Sequence, residues 1–451
     1  MPTQLLAIAR NALVESIRQP IFFILIAVSG VCQIFNNLLS TYSMGYSDSS
    51  EVSGDEKLFL DIGLSTILIA LTLLASFIAT AVLSREIEQK TALTVVSKPV
   101  ARPLFVIGKY LGVAGAMGIA TALMLLFFLL ALQHGVMSRA MDKVDQPVLV
   151  FGFGSVALAM GIALWGNYFY GWMFTSSATL IMLPLVFVGW VVTLFMGPDW
   201  SHQGLVEDVH PQILLCCVAV GVSMLVLTAV AVCCSTRLGQ VMTIVVCFGV
   251  FLFGLLSNHL VGRRAFVNDP MERIALVEVV RDTNGDLRDA GDSWRVTLVG
   301  DPREDFKVGD SFFYASDPSG ATMAVPRHRK FEGDLSRPES VRAPETGPAL
   351  TVETTSPSSR ELTVENVGGL AVQRPPREGD YVFLESRRGS FIARLIWSVT
   401  PNMQFYWLVD AVTQTHAIPM RYMGKLLVYS LAQITALLSL GVILFQKREV
   451  G

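Results

Sequence analysis

The stretch LSREIEQKTALTVVSKPVARPLFVIGKYLG, residues 83–112, decides how this chain is read. Its centre is charged and helix-capable, and it lies between two long apolar runs, one ending at Leu83 and the other starting near Leu104. A hydrocarbon core about 30 Å thick takes about 20 helical residues to cross, and each run is long enough. The charged stretch therefore reads as a loop at one membrane surface, exposed to soluble partners.

Working outward, further apolar windows fall near 20–40, 59–83, 104–132, 148–167, 173–196, 212–234, 238–258 and 424–445. A charge at the centre of a span costs about 2.5–3.5 kcal/mol on insertion scales, and these windows hold almost none. Composition agrees: 52% of residues are hydrophobic and 16% charged, against roughly 25% charged in soluble domains. The six cysteines, Cys32, Cys216, Cys217, Cys233, Cys234 and Cys247, all sit in apolar runs without CxxC spacing, so they read as small apolar residues. A net charge of −3 with no long block of like charge gives no reason to expect a nucleic-acid partner.

Orientation follows from Lys and Arg in the short loops. One side carries Arg10, Arg18, Arg85, Lys90, Lys98, Arg102, Lys109, Arg237, Lys447 and Arg448; the other has Lys57, Arg139 and Lys143 among several acids. Both termini are expected in the cytoplasm, which an even number of spans permits, with the chain multi-pass in the plasma (inner) membrane. Residues 261–403 are polar, rich in Pro, Gly and Ser, with alternating runs at 275–280, 294–299, 361–364 and 381–384 that read as strands. The expected fold class is an all-α polytopic membrane protein of about eight transmembrane helices, with an inserted extracytoplasmic mainly-β domain before the last helix. Its divisions are a transmembrane domain over 1–260, the β-rich domain over 261–403, and an outer interfacial segment with the last helix over 404–451. The first division includes an N-terminal interfacial helix and a cytoplasmic coupling loop at 84–103.

Within the polar domain, KVGDSFF from Lys307 echoes REGDYVF from Arg377. Two related β units or chance recurrence of a common turn would both produce it, and chance is the favoured reading. The charge- and Pro-rich residues 327–359 read as a long loop or partial disorder. The acidic run 282–292 lacks the Gly and the bidentate Glu of a calcium loop, so it reads as a hairpin turn between strands. Near the N-terminus, Leu5, Ala9, Ala12, Leu13 and Ile17 share one helical face, the pattern of a helix lying in the membrane interface. Phe405, Tyr406, Trp407, Leu408, Ile418 and Pro419 suggest a second interfacial segment, because aromatic residues favour that depth.

No HExxH, GxSxG or phosphate-loop pattern occurs, and the six histidines are scattered. No catalytic centre, cofactor or metal is expected in this chain. Small residues recur in the spans: Thr72, Ser76 and Thr80 in the second, Gly112, Gly115 and Gly118 in the third. Such faces serve helix packing or line a path, packing being the commoner use. Mid-span carboxylates, the usual mark of ion-coupled transport, are missing, so the energy source is expected elsewhere.

Four places carry a resemblance. Arg85, Glu86, Glu88, Lys90 and Thr91, then Ser97, Lys98, Pro99 and Arg102, with Gly108 and Lys109, resemble the coupling region of type-2 ATP-binding-cassette membrane subunits, including the branch associated with copper-enzyme maturation. Ser235, Thr236 and Arg237 look like that family's second cytoplasmic loop. The finish, Leu444 to Glu449, and the position of the N-terminal helix are similar as well. The resemblance implies a permease subunit, with export the favoured direction, paired with a separate ABC ATPase subunit that holds ATP and Mg and with a second permease as homodimer or heterodimer. Glu86, Glu88, Lys90, Lys98 and Arg102 would make charge pairs with that ATPase, Leu93, Val95 and Val96 an apolar ridge, and Pro99 and Pro103 a sharp helix end. The chain departs from the usual six spans, since the pair at 148–196 looks inserted and the β domain is large. A competing reading is a non-transporting anchor whose outer β domain is a binding module; a membrane-embedded enzyme lacks any catalytic constellation.

Overall fold

The computed structural model describes residues 2–40, 54–84, 101–136, 144–204, 209–265, 269–282, 289–318, 323–356, 360–385, 390–413 and 418–446. The chain divides into two compact units, Met1–Leu255 with Pro401–Gly451, and Leu256–Thr400.

In the first unit, α1 (Pro2–Arg18) precedes α2 (Pro20–Ser40), α3 (Gly54–Ala79), α4 (Arg102–His134), α5 (Gln146–Tyr170), α6 (Phe174–Thr193), α7 (Pro211–Ser235) and α8 (Gln240–Ser257). The last long helix before the C-terminus is Met420–Gln446. Among the described residues, eight helices are long and apolar enough to cross a membrane, including two full ones over 146–193. Those two form a hairpin whose turn is closed by Asn167 Nδ2 donating to the Trp172 carbonyl at 2.5 Å. Trp165, Tyr168, Tyr170 and Trp172 stay exposed around it, as aromatic residues do at a membrane interface.

Three helices make the centre. The apolar windows of α3, α4 and α7 are 67%, 56% and 67% buried, against 17–28% for the other five. Their polar residues are satisfied within the bundle: Thr72 donates to the Leu68 carbonyl, Ser76 to Leu73 and Thr80 to Ser76, each at 2.8–2.9 Å. Asn36 Nδ2 reaches from α2 to the Phe59 carbonyl at 2.9 Å. Bonding a hydroxyl to its own helix removes the cost of leaving it unpaired in an apolar interior.

Cross-links fix which helix ends lie together. Thr175 with Arg18, Arg102 with Gln446, and Arg237 with Leu444 mark one end. Lys57 with Asp410, Gln133 with Thr193, and Gln212 with Ile418 mark the other. The aromatic segment expected to lie on the outer surface packs at this second end: Tyr406 and Leu408 are buried, and the Tyr406 hydroxyl shares a 2.7 Å hydrogen bond with Ser430.

The second unit is a six-stranded antiparallel sheet: β1 (Glu272–Arg281), β2 (Ser293–Leu298), β3 (Phe313–Ala315), β4 (Ala349–Thr355), β5 (Glu361–Val367) and β6 (Tyr381–Phe383), in the order β3-β6-β1-β2-β5-β4. A bridge between Ser311 and Thr351 brings the approach to β3 beside β4, so the sheet curls back on itself. Trp294, Val296, Phe312, Tyr314, Leu350, Val352, Leu362 and Val364 fill the interior. All four expected strands are present. The expected loop over 327–359 is not: it contains the helix α9 (Pro338–Arg342) and β4, whose Ala349, Leu350 and Val352 are fully buried. Flanking charge and proline hid a strand that pairs through its whole length with β5.

The echo at Lys307 and Arg377 is a structural repeat. Gly309 and Gly379 sit at φ 87° and 88°, the left-handed region that glycine enters without penalty. Asp310 and Asp380 each accept from the backbone of the residue three before, Lys307 and Arg377, at 2.9 and 3.0 Å. Gly309 donates to Val352 of β4 and Gly379 to Ile274 of β1. Each turn therefore docks on the other unit's first strand, and β3 pairs with β6. Two β-hairpin-turn-strand units, β1-β2-β3 and β4-β5-β6, build the sheet.

After β6 comes α10 (Phe391–Val399), started by the Ser390 hydroxyl accepting from the Ala393 amide. Phe391, Ile392, Leu395, Ile396 and Val399 are exposed on one face. Trp397 Nε1 donates to Asn258 Oδ1 at 2.9 Å, tying the helix to the last turns of the span Gln240–Gly262. An exposed apolar face beside the end of a span suits an in-plane interfacial helix.

Candidate coupling surface

The site is built around the start of α4. Pro103 occupies the first helical turn, where its missing N–H costs nothing. From there Gly108, Gly112 and Gly115 form a smooth stripe against α1. A Cβ at Gly112 would stand 2.3 Å from the Ala9 carbonyl oxygen and 2.5 Å from the Ala12 Cβ; at Gly108 it would meet Ile8 at 2.8 Å, and at Gly115 Leu13 at 2.7 Å. The α1 face expected to rest in lipid is therefore seated on α4, with Ala12, Ser16 and Ile17 buried. Gly118 faces open space and is outside the seat, whereas Gly108, one turn earlier, belongs to it.

Beside this stripe Lys109, whose side chain is 3% exposed, lies 3.5 Å from Glu15 of α1, itself 31% exposed. Its ammonium also stands 5.7 Å from the Phe105 ring centre, within reach of a cation–π attraction. Phe105 stacks in turn on Phe445 of the last span, centroids 5.7 Å apart.

Two arginines hold the C-terminal turn of that last span. Arg102 Nη1 donates to the Gln446 carbonyl and Arg237 Nε to the Leu444 carbonyl, both at 2.9 Å. The last carbonyls of a helix have no partner within it and carry partial negative charge, so two guanidinium groups there satisfy both needs. Ser235 and Thr236 are buried, bonded to the Val232 and Cys233 carbonyls. Thus Arg102, Ser235, Thr236 and Arg237, quoted from two separate loops, meet around the end of one helix.

The other residues expected to couple to an ATPase, Arg85, Glu86, Glu88, Lys90, Thr91, Leu93, Ser97, Lys98 and Pro99, lie outside the described residues. Their two flanks are described: α3 closes in a π-helical turn, Thr80–Ser84, with Val82 and Leu83 buried, and Arg102 opens α4. π-turns are uncommon and often mark functional sites. Thr72, Ser76, Thr80, Gly112 and Gly115 are all in helix contacts inside this one chain. Among the described residues no group of three or more His, Cys, Asp or Glu is gathered to hold a metal ion.

Sequence reading missed a second feature, in the sheet domain. A polar groove of about 1100 Å³ is lined by Lys307, Asp310, Arg327, His328 and Lys330 among others. His328 stacks on Phe313, centroids 4.5 Å apart, and Lys330 pairs with Asp310 at 2.6 Å. Burial holds His328 below the ordinary histidine range. In the repeated unit Arg374 grips Asp380 with two bonds of 2.6 and 2.7 Å. The same turn thus carries a closed ion pair in one unit and an exposed one, bordering a groove, in the other.

Comparison with known proteins finds a similarity within the membrane helices. Residues 57–240 match the family described as ABC-2 family transporter protein. This stretch is therefore similar to ABC-2 family transporter proteins. It runs from the start of the second span through α5 and α6 to the first residue of α8, so the matched segment contains the central helices, the loop 85–100 and the seat of α1. No curated protein and no solved structure matches the chain.

Proposed function

We propose that this chain is the permease subunit of an ATP-driven ABC-2 type transporter, exporting its substrate through a path formed with a second permease copy, identical or different. Residues 84–103 form the docking element for a separate ATPase subunit, which holds ATP and Mg. Both termini and this loop face the cytoplasm of a cell whose plasma membrane holds the chain, with the sheet domain outside. The resemblance at the coupling region, the second loop and the C-terminal finish includes the branch associated with copper-enzyme maturation.

One observation carries the reading: the residue leaving the loop, Arg102, is bonded to the end of the last span, and the next two turns of α4 are locked to α1. A push on the loop would act at once on α1, α4 and the last span, and through Arg237 on α7. A surface that receives a partner's motion needs this kind of stiff, multi-helix attachment, because coupling is carried by packed elements moving together. The permease supplies no hydrolytic group in the reading; it converts the partner's closure into helix displacement.

The test is affinity purification of the tagged chain from native membranes, with an ATP hydrolysis assay. A near-stoichiometric P-loop ATPase is expected, lost when Glu86→Lys and Lys98→Glu are combined while the chain still folds. A clean chain, or an ATPase retained by the reversed variant, would overturn the docking assignment. The polar groove beside His328 favours the second reading, an anchor whose outer domain binds a ligand; that reading predicts function surviving loss of residues 85–100.

A further inference from the structure

A cavity of about 430 Å³ lies between α2, α4 and the α5–α6 hairpin, within the roughly 300–1,000 Å³ common for ligand sites. Its floor is apolar, made by Phe23, Met160 and Met182, and its upper wall, toward the second bundle end, holds Gln33, Asn37 and His134. Gln33 is only 1% exposed; its Nε2 donates to the Gly63 carbonyl at 3.1 Å, but its Oε1 has no partner among the described residues. Nδ1 of His134 is likewise buried with no partner among them. Buried polar atoms are nearly always satisfied, and one that is not calls for a missing partner. The cavity is not sealed: Val31, Ile34, Leu38 and Phe153, which line it, are about half exposed, so it opens sideways at membrane depth.

We propose that this cavity is a binding site for one acyl chain of a bilayer lipid, whose interfacial region presents a hydroxyl or amine donor to Gln33 Oε1 and His134. The gradient decides the occupant. An apolar floor that runs from Met160 and Met182 at mid-span to Phe23 near the first bundle end, under an acceptor-bearing cap nearer the second end, matches the order of groups along a lipid, chain first and glycerol or headgroup second. A soluble ligand would have to enter from the lipid side, past half-exposed Val31 and Phe153. A fully apolar guest would leave Gln33 Oε1 unpaired. The hairpin expected to be an insertion supplies one whole wall, through Gly152, Val156 and Met160, which gives it a role that the coupling surface does not. The inference does not rest on the permease reading, since its readout is lipid binding and not transport or ATP hydrolysis.

Gly152 offers the cleanest plug, because a Cβ there would sit 3.7 Å from Leu130 Cδ1, ordinary contact. The full-length chain, purified in mild detergent, is titrated with lysophosphatidylethanolamine and, separately, with the methyl ester of the same fatty acid, which has no donor. Native mass spectrometry counts the bound molecules. Wild type is expected to hold one lysolipid saturably and to prefer it over the ester. Gly152→Leu and, as an independent plug, Val156→Phe should each weaken it about tenfold, a change of about 1.4 kcal/mol. Gln33→Leu should keep ester binding and lose the preference, and Leu158→Ala, on the exposed side of α5, should change nothing. Thermal unfolding of each variant verifies that it is folded. Undiminished lysolipid binding in both folded plugs, or equal binding of lysolipid and ester by wild type, would overturn the proposal.

Discussion

Lys109, buried in the second turn of the third span, is paired with Glu15 of the N-terminal helix across 3.5 Å. A charge this deep is tolerated in an apolar helix only with its partner in place. Glu15→Gln should therefore destabilise the chain by about 1–3 kcal/mol, less than for a fully buried pair because Glu15 is partly exposed. Adding Lys109→Met should recover part of that loss, since the uncompensated charge goes with it. Thermal unfolding of the two single variants and the double variant in detergent gives the coupling between them; additive losses would deny the pair.

The α1 seat depends on bare backbone at Gly112. With the Ala9 carbonyl oxygen 2.3 Å from a would-be Cβ, Gly112→Ala should lift α1 off α4, at a cost of about 1–3 kcal/mol for overpacking. Gly118→Ala, facing open space, should be silent. Limited proteolysis within residues 2–18 distinguishes them: faster cleavage in the first variant only.

Arg102 and Arg237 cap the same helix end. Replacing either with Ala should cost about 0.5–2 kcal/mol and speed amide exchange in the last turn, 441–446, with the double variant worse than both. Unchanged exchange there in the double variant would show the two bonds to be incidental.

The sheet domain should weaken as pH rises. Burial, reinforced by Glu353 and opposed by Arg281, lifts the Glu365 carboxyl from 4.5 to about 7. The folded state then holds a proton that the unfolded state releases, so stability is full below about pH 4.5 and falls as pH climbs through about 7. The loss is on the order of 3 kcal/mol, at about 1.4 kcal/mol per pKa unit. Amide exchange of β4 and β5 at pH 5 and 8, corrected for intrinsic rates, should show that loss, and Glu365→Gln should abolish it.

Much of this architecture is legible in the sequence because a membrane imposes length and apolarity on each span. The pair around Trp165–Trp172 is harder: glycine and aromatics interrupt the apolar run there, and only the hairpin turn separates two full helices. The strand over 349–355 was hidden because its pairing with β5 is non-local, while its neighbours are rich in charge and proline. For the coupling surface, residue types gave Arg102 and Arg237 but not their shared target, since a helix end 207 or more residues away leaves no mark on local pattern. Gly108 could have been found: it continues the small-residue stripe one turn before Gly112. Glu15 could not, because which face of α1 meets α4 is settled by packing alone.

The central claim is that residues 85–100 are where an ATPase grips this chain. The most direct test places a photoreactive benzoyl-phenylalanine at Leu93 and irradiates native membranes with and without nucleotide. An adduct with a P-loop ATPase, changing in yield when nucleotide is added, is the predicted result; adducts only with lipid or with the chain itself would contradict the account.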